Sequence, residues 1–142
     1  MCQRNYFFET HNKAGERTSK ETELAWRRRV MREWLAVPHE KLAMVFHDRD
    51  KLEDGTPKGL HAHLLLFVDT PKTCEQMMSR LNISLPQNVA FARNPVASAK
   101  YLTHITDIAI KARKFIYSQA DVITSNCTYH DLLQPLQKPG EI

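Results

Sequence analysis

His61 and His63 are separated by one alanine inside the apolar run GLHAHLLLFVD. Residues two apart on a β-strand point to the same face, with Cα atoms roughly 6.5 to 7 Å apart, so two imidazoles there can converge on one ion. A second apolar run, KLAMVFHD, ends in His47 and is followed by Asp50. Between the runs lies 51–59, a polar stretch rich in turn formers (Asp54, Gly55, Pro57, Gly59). Two strands joined by such a loop lie antiparallel and adjacent. His47 and Asp50, at the end of the first, then come near His61 and His63 at the start of the second. Three imidazoles and a carboxylate without a thiolate suit a divalent ion such as Mn²⁺, Mg²⁺, Co²⁺ or Zn²⁺, and the donor set does not choose among them. A lone H-x-H triplet is more often the wet side of an amphipathic strand. The joint spacing of His47, Asp50, His61 and His63 carries the metal reading.

The elements that must position these groups follow from the surrounding pattern. Residues 4–10 (RNYFFET) have the aromatic density of a first strand, and a polar, Gly-containing connection follows. Thr18 and Glu21 have capping-box spacing for a helix whose apolar side is Leu24, Val30, Met31, Trp34 and Leu35, with Arg27, Arg28 and Arg29 between them and Pro38 as its end. Trp26 and Trp34, eight apart on that helix, read as core or rim residues. Strands are expected at 41–47 and 60–69, a short Met-rich helix at 73–81 and a fourth strand at 85–93. Asn94-Pro95 then opens a helix through VASAKYLTHI, with Pro in the first turn where its missing N–H costs nothing. The order β-α-β-β-α-β-α is that of an α+β, ferredoxin-like (RRM-like) split βαβ fold: an antiparallel sheet with helices on one face and the site on the other.

The chain of 142 residues, 42% of them hydrophobic, is long enough for one core and short for two. The expected organisation is one domain over 1–126 and a C-terminal linker stub over 127–142. Cys2, Cys74 and Cys127 are widely spaced and form no CxxC pair, so neither a disulfide framework nor a thiolate zinc site is indicated. The first twenty residues contain no apolar signal segment, and the longest apolar stretch, 64–68, is far too short to span a bilayer. This reads as a soluble cytoplasmic protein with no membrane partner. A net charge of +4 permits nucleic acid without requiring it.

Tyr101 lies on the helix after strand four, with His104 three residues on and therefore near it. Most tyrosines at such a position only cap a core with a wet hydroxyl. A phenol, almost fully protonated at neutral pH, is a poor nucleophile, but it can attack a phosphodiester when a metal withdraws charge from the phosphate oxygens. The H-hydrophobic-H triplet followed by a helical tyrosine resembles the HUH endonuclease superfamily. Within it, HDRD, DGTPKGLHAHLLLF and YLTHITDIAIKARKFIYSQADV are similar to the origin-binding nuclease domain of rolling-circle plasmid replication initiators of Gram-positive bacteria, over residues 6–123. The resemblance implies His47, Asp50, His61 and His63 as ligands to Mn²⁺ or Mg²⁺ and Tyr101 as the nucleophile. The implied product is a 5′-phosphotyrosine with a free 3′-OH. It also implies single-stranded or hairpin origin DNA as partner, and assembly through a C-terminal domain that this chain does not contain.

Lys100, His104, Lys111, Arg113 and Lys114 cluster around and after Tyr101 and are the candidate DNA contacts. A solvated helix face accounts for Arg27, Arg28 and Arg29 at least as well as DNA does. Competing readings are a relaxase nicking a transfer origin, a non-catalytic nucleic-acid-binding domain with a structural metal, and a small zinc hydrolase acting through bound water.

Overall fold

Strands β2 (Lys41–His47) and β3 (His61–Val68) pair antiparallel, and, Lys41 apart, every residue in them is buried. That is why both read as nearly continuous apolar runs: strands covered on two faces have no wet side to alternate with. The computed structural model describes residues 5–12 (backbone alone), 21–49, 51, 54–56, 61–68, 73–83, 88–106, 110–111 and 114–134. β1 (Asn5–Asn12) pairs along the other edge of β3, β4 (Val89–Phe91) lies outside β1, and β5 (Ile123–Ser125) lies outside β2. The sheet order is β4-β1-β3-β2-β5, antiparallel throughout. Its first four strands have the arrangement the split βαβ order requires. The fourth strand is shorter than the expected 85–93, with 84–87 outside the described residues.

Two crossover helices cover one face. α1 (Glu23–Leu35) and α2 (Cys74–Leu81) set Trp26, Val30, Trp34, Met77 and Leu81 against Leu42, Met44, Phe46, Ala62, Leu64 and Leu66. Both tryptophans are fully buried, and Trp34 Nε1–H donates to the Leu81 carbonyl at 3.1 Å, tying the two helices together. The start of α1 differs from expectation. Thr22 is its N-cap, with Oγ1 accepting from Ala25 N–H at 3.1 Å, whereas Thr18 lies outside the described residues. Glu21 makes a two-bond contact with Arg29 at 2.8 and 3.1 Å. The helix ends at Leu35, three residues ahead of Pro38. α2 carries a complete capping box, Thr73 with Gln76.

The second face is not left open. α3 (Pro95–Thr103) and α4 (Tyr129–Leu132) bring Ala99, Leu102, Tyr129 and Leu132 onto Ala43, Val45, Leu65 and Phe67. The histidines occupy the other end of this same face. α4 also corrects the expected linker at 127–142: Tyr129 and Leu132 are buried in this second core, so the domain continues at least to them, and 135–142 lie outside the described residues. Cys74 and Cys127 are both free, and no helix among the described residues is long and apolar enough to cross a membrane.

Candidate metal and nucleophile site

The register of β2 on β3 sets His47 directly opposite His61, with Val45 opposite His63. Directly opposed residues have Cβ atoms about 5 Å apart, and the residue two further along the strand is the diagonal neighbour on the same face. The three rings accordingly cluster, with centroids 5.2 Å apart for His47 and His61, 4.2 Å for His47 and His63, and 4.9 Å for His61 and His63. All three are buried, and one ring nitrogen from each lies within 4.8 Å of the others. Two nitrogens bonded to one ion at about 2.1 Å lie at most about 4.2 Å apart, so the trio is grouped closely enough for these residues to hold a metal ion. Asp50, the expected fourth ligand, lies outside the described residues.

One hydrogen bond decides which nitrogen His47 presents. Its Nε2 lies 2.7 Å from the Leu102 carbonyl oxygen. A carbonyl only accepts, so Nε2 carries the hydrogen and Nδ1 keeps the lone pair a metal needs. His39 shows the contrasting, structural use of the side chain. Its two ring nitrogens are spent on the Val37 carbonyl at 2.6 Å and the Ser125 hydroxyl at 2.8 Å, which fasten the turn after α1 to β5.

The same bond joins the histidines to the helix that carries the tyrosine. Asn94 caps α3, its Oδ1 accepting from Ala97 N–H at 3.2 Å, and Pro95 occupies the first turn. Ala99 and Leu102 bury the helix against the sheet. Tyr101, one residue before the carbonyl that receives His47, is left half-buried at the rim. Its ring centroid is 5.4 Å from that of His63 and 5.2 Å from that of His104. His104 ends the helix in a left-handed conformation, φ 63°, with its N–H directed to the Lys100 and Tyr101 carbonyls. Glycine or asparagine usually takes such a position. The turn brings the imidazole under the site, 4.5 Å from His47 between centroids, where Nδ1–H donates to the Phe115 carbonyl at 2.8 Å. The expected nearness of Tyr101 and His104 is therefore present, through a helix cap rather than a shared helical face.

Sequence reasoning placed Tyr117 within the domain but gave it no role in the site. The residue is buried, and its ring stacks on His47 at 4.3 Å and 10°. Its hydroxyl accepts from Arg49 N–H at 2.9 Å, pinning the chain one residue before Asp50. The signal was the aromatic pair in KFIY directly after the basic cluster. Tyr129 anchors α3 from the other side: its hydroxyl donates to the Ala99 carbonyl at 2.5 Å and meets Thr103 Oγ1 at 2.9 Å, and burial pushes its phenol up from the ordinary range. The hydroxyls of Tyr117 and Tyr129 are thus engaged in the fold, and the side chain of Tyr6 lies outside the description.

Among the candidate DNA contacts, Lys100, Lys111 and Lys114 are exposed, His104 is buried, and Arg113 is outside the described residues. Lys114 Nζ lies 5.7 Å from the Tyr101 ring centroid. In the arginine triplet, Arg27 bonds Asp48 at 2.9 Å and Glu23 at 3.1 Å, and Arg29 bonds Glu21 and Glu33. Two of the three are engaged with carboxylates on the protein itself, and these partners hold both guanidinium groups above their ordinary pKa against the effect of burial.

A split βαβ sheet with a buried histidine trio and a tyrosine-bearing helix beside it defines the class, and sequence comparison gives it a family. Residues 13–131 match the family described as "Plasmid replication protein, origin binding domain", and the chain belongs to it. It is also similar to a "Replication protein" of Staphylococcus aureus, 29% identical over 126 residues, which cover 84% of this chain and 60% of that protein. The chain thus spans about three fifths of that relative's length. An origin is a stretch of DNA, so DNA is the partner the family description names.

Proposed function

We propose that this domain nicks one strand of plasmid origin DNA and holds the cleaved end on Tyr101, initiating rolling-circle replication. The observation that carries the reading is the bond from His47 to the Leu102 carbonyl, which couples the histidine trio to the residue next to Tyr101. His47, His61 and His63, with Asp50, would hold Mn²⁺ or Mg²⁺. When bound, the ion supplies Lewis-acid withdrawal of charge from the phosphate oxygens. Tyr101 gives up its proton and its oxygen attacks phosphorus. The tyrosine O–P bond forms, the bond from phosphorus to the 3′-oxygen breaks, and that oxygen leaves with a proton as the free 3′-OH. The phosphotyrosine keeps the energy of a phosphodiester, so a later 3′-OH can attack it and rejoin the strand. His104 and Tyr117 pack around His47 and keep bulk water from its ring.

Exposed Lys100, Lys111 and Lys114, with Arg113, would contact phosphates and set the strand's register. The family description favours a replication origin over a transfer origin. The substrate would be single-stranded or hairpin DNA, and the setting cytoplasmic.

The test is incubation with single-stranded oligonucleotides spanning candidate origins and Mn²⁺. A denaturation-resistant protein–DNA band is expected, lost with EDTA and with Tyr101→Phe, while Tyr101→Phe still binds DNA. An adduct mapped to Tyr6, Tyr117 or Tyr129 would overturn the assignment of Tyr101. Unchanged function in Tyr101→Phe would leave a binding domain with a structural metal.

A further inference from the structure

Residues 114–118 form a strap without regular secondary structure. Its backbone is fastened to the end of α3 at two points: the Phe115 carbonyl accepts from His104, and Tyr117 N–H donates to the Thr103 carbonyl at 3.0 Å. Between these points the side chains divide. Tyr117 turns inward onto His47, while Phe115 and Ile116 stay 38% and 51% exposed. Phe115 touches Tyr117 edge-on, with centroids 4.8 Å apart. It is therefore two ring contacts from a candidate metal ligand.

A single exposed apolar residue is ordinary, and Phe91 on the edge strand β4, half exposed, is one such. The strap differs because cations accompany its rings. The Arg49 guanidinium lies 5.2 Å from the Phe115 centroid and its side chain is 65% exposed, and Lys114 stands over Tyr101. Arg49 also lies 3.8 Å from an Asp48 carboxylate oxygen, a largely solvent-exposed pair that a phosphate can compete for. A nucleobase offers a flat apolar face and its backbone a negative charge every few ångströms. An aromatic open to solvent beside exposed cations meets both without reading sequence.

We infer that Phe115 and Ile116, with Arg49 and Lys114, form a base-stacking platform for single-stranded DNA next to Tyr101. The inference rests on the reading of Tyr101 and the histidines as a DNA site, and it specifies what holds the nucleotides beside the cleaved linkage. Phe115 supplies the stacking surface, Ile116 the apolar wall, and the two cations meet flanking phosphates. Tyr117 secures the platform to the site from beneath.

The test measures binding of a fluorescein-labelled thymidylate dodecamer by anisotropy, at low salt and in EDTA, so that no cleavage chemistry contributes. Phe115→Ala and Phe115→Leu are each expected to weaken binding about tenfold, the size typical for losing one stacked base. Phe115→Trp is expected to bind like the unmodified chain, and DNA should quench its new indole, which lies outside the core holding Trp26 and Trp34. Wild-type affinity in Phe115→Leu would mean that bulk rather than stacking matters, as for an apolar protein partner, and would overturn the inference. So would an indole at 115 that saturating DNA leaves unchanged, or no binding of the dodecamer by the unmodified chain. If Tyr101 forms an adduct but Phe115 proves indifferent, the platform alone fails. If the platform behaves as stated and no adduct ever forms, the nicking reading alone fails.

Discussion

The two faces of the central sheet are made by alternate residues of the same two strands, and they are held together differently. Toward α1 and α2, Met44, Phe46, Ala62 and Leu64 meet Trp26, Val30 and Trp34, and stability comes from removing apolar area from water. Toward α3, apolar contacts give way at one end of the sheet to His47, His61 and His63. There, buried polar groups must be matched by directed partners, such as the Leu102 carbonyl for His47. The comparison teaches that a strand buried on both sides can leave stability to one face and spend the other on a site.

Breaking the apolar face should have the largest effect. Trp34→Ala removes a fully buried indole and its bond to Leu81, and a loss of about 3–5 kcal/mol is expected in chemical denaturation, with or without Mn²⁺. A loss below about 1 kcal/mol would mean that face is not the stabilising one. His61→Ala probes the opposite face and should behave in reverse. In EDTA its stability should change by less than about 1 kcal/mol, while Mn²⁺ at a hundred times the wild-type Kd should no longer add its roughly 2.7 kcal/mol in thermal melts. A His61→Ala protein still stabilised by Mn²⁺ would erase the distinction between the faces.

Tyr129 sharpens the comparison because it is a polar group serving structure on the site face. Tyr129→Phe loses the bonds to Ala99 and Thr103, with an expected cost of about 1–2 kcal/mol. Its phenol is raised by burial, so the folded protein holds that proton more tightly than the unfolded chain does. The contribution is complete below the unfolded phenol pKa of about 10 and is lost as pH rises through the higher folded value. Alkaline unfolding above pH 10 should accordingly be less steep in Tyr129→Phe, and identical slopes would refute this role. Smallest is Thr22→Ala, which removes the α1 cap and should cost about 1 kcal/mol while leaving Mn²⁺ binding as it was.

Strands β2 and β3 were legible because their runs are long, apolar and bounded by turn formers, and β2 coincides with the expected 41–47. α2 was legible from the helical period of its Met-rich run, and α3 from Asn94 with Pro95 at its start. The start of α1 was ambiguous for a local reason: Thr18 and Thr22 both precede plausible first turns, and Thr22 is the one that caps Glu23–Leu35. α4 does not stand out in the sequence because four residues are too few to show a period, and its burial depends on contacts with Ala99 and Thr103, far away in sequence.

What the sequence determined by itself was that His47, His61 and His63 share a face. Side-chain direction along a strand follows the two-residue backbone period, and pairing two buried apolar runs leaves few registers, since a one-residue slip turns every side chain to the other face. What only the tertiary structure decided was which nitrogen His47 presents, that Tyr101 stands beside the trio, and that Tyr117 covers it. These depend on partners such as Leu102, 55 residues from His47, and Tyr117, 68 residues from Arg49. Such pairs meet only once α3 and the strap have packed across the sheet, and no local preference of the chain encodes that distance.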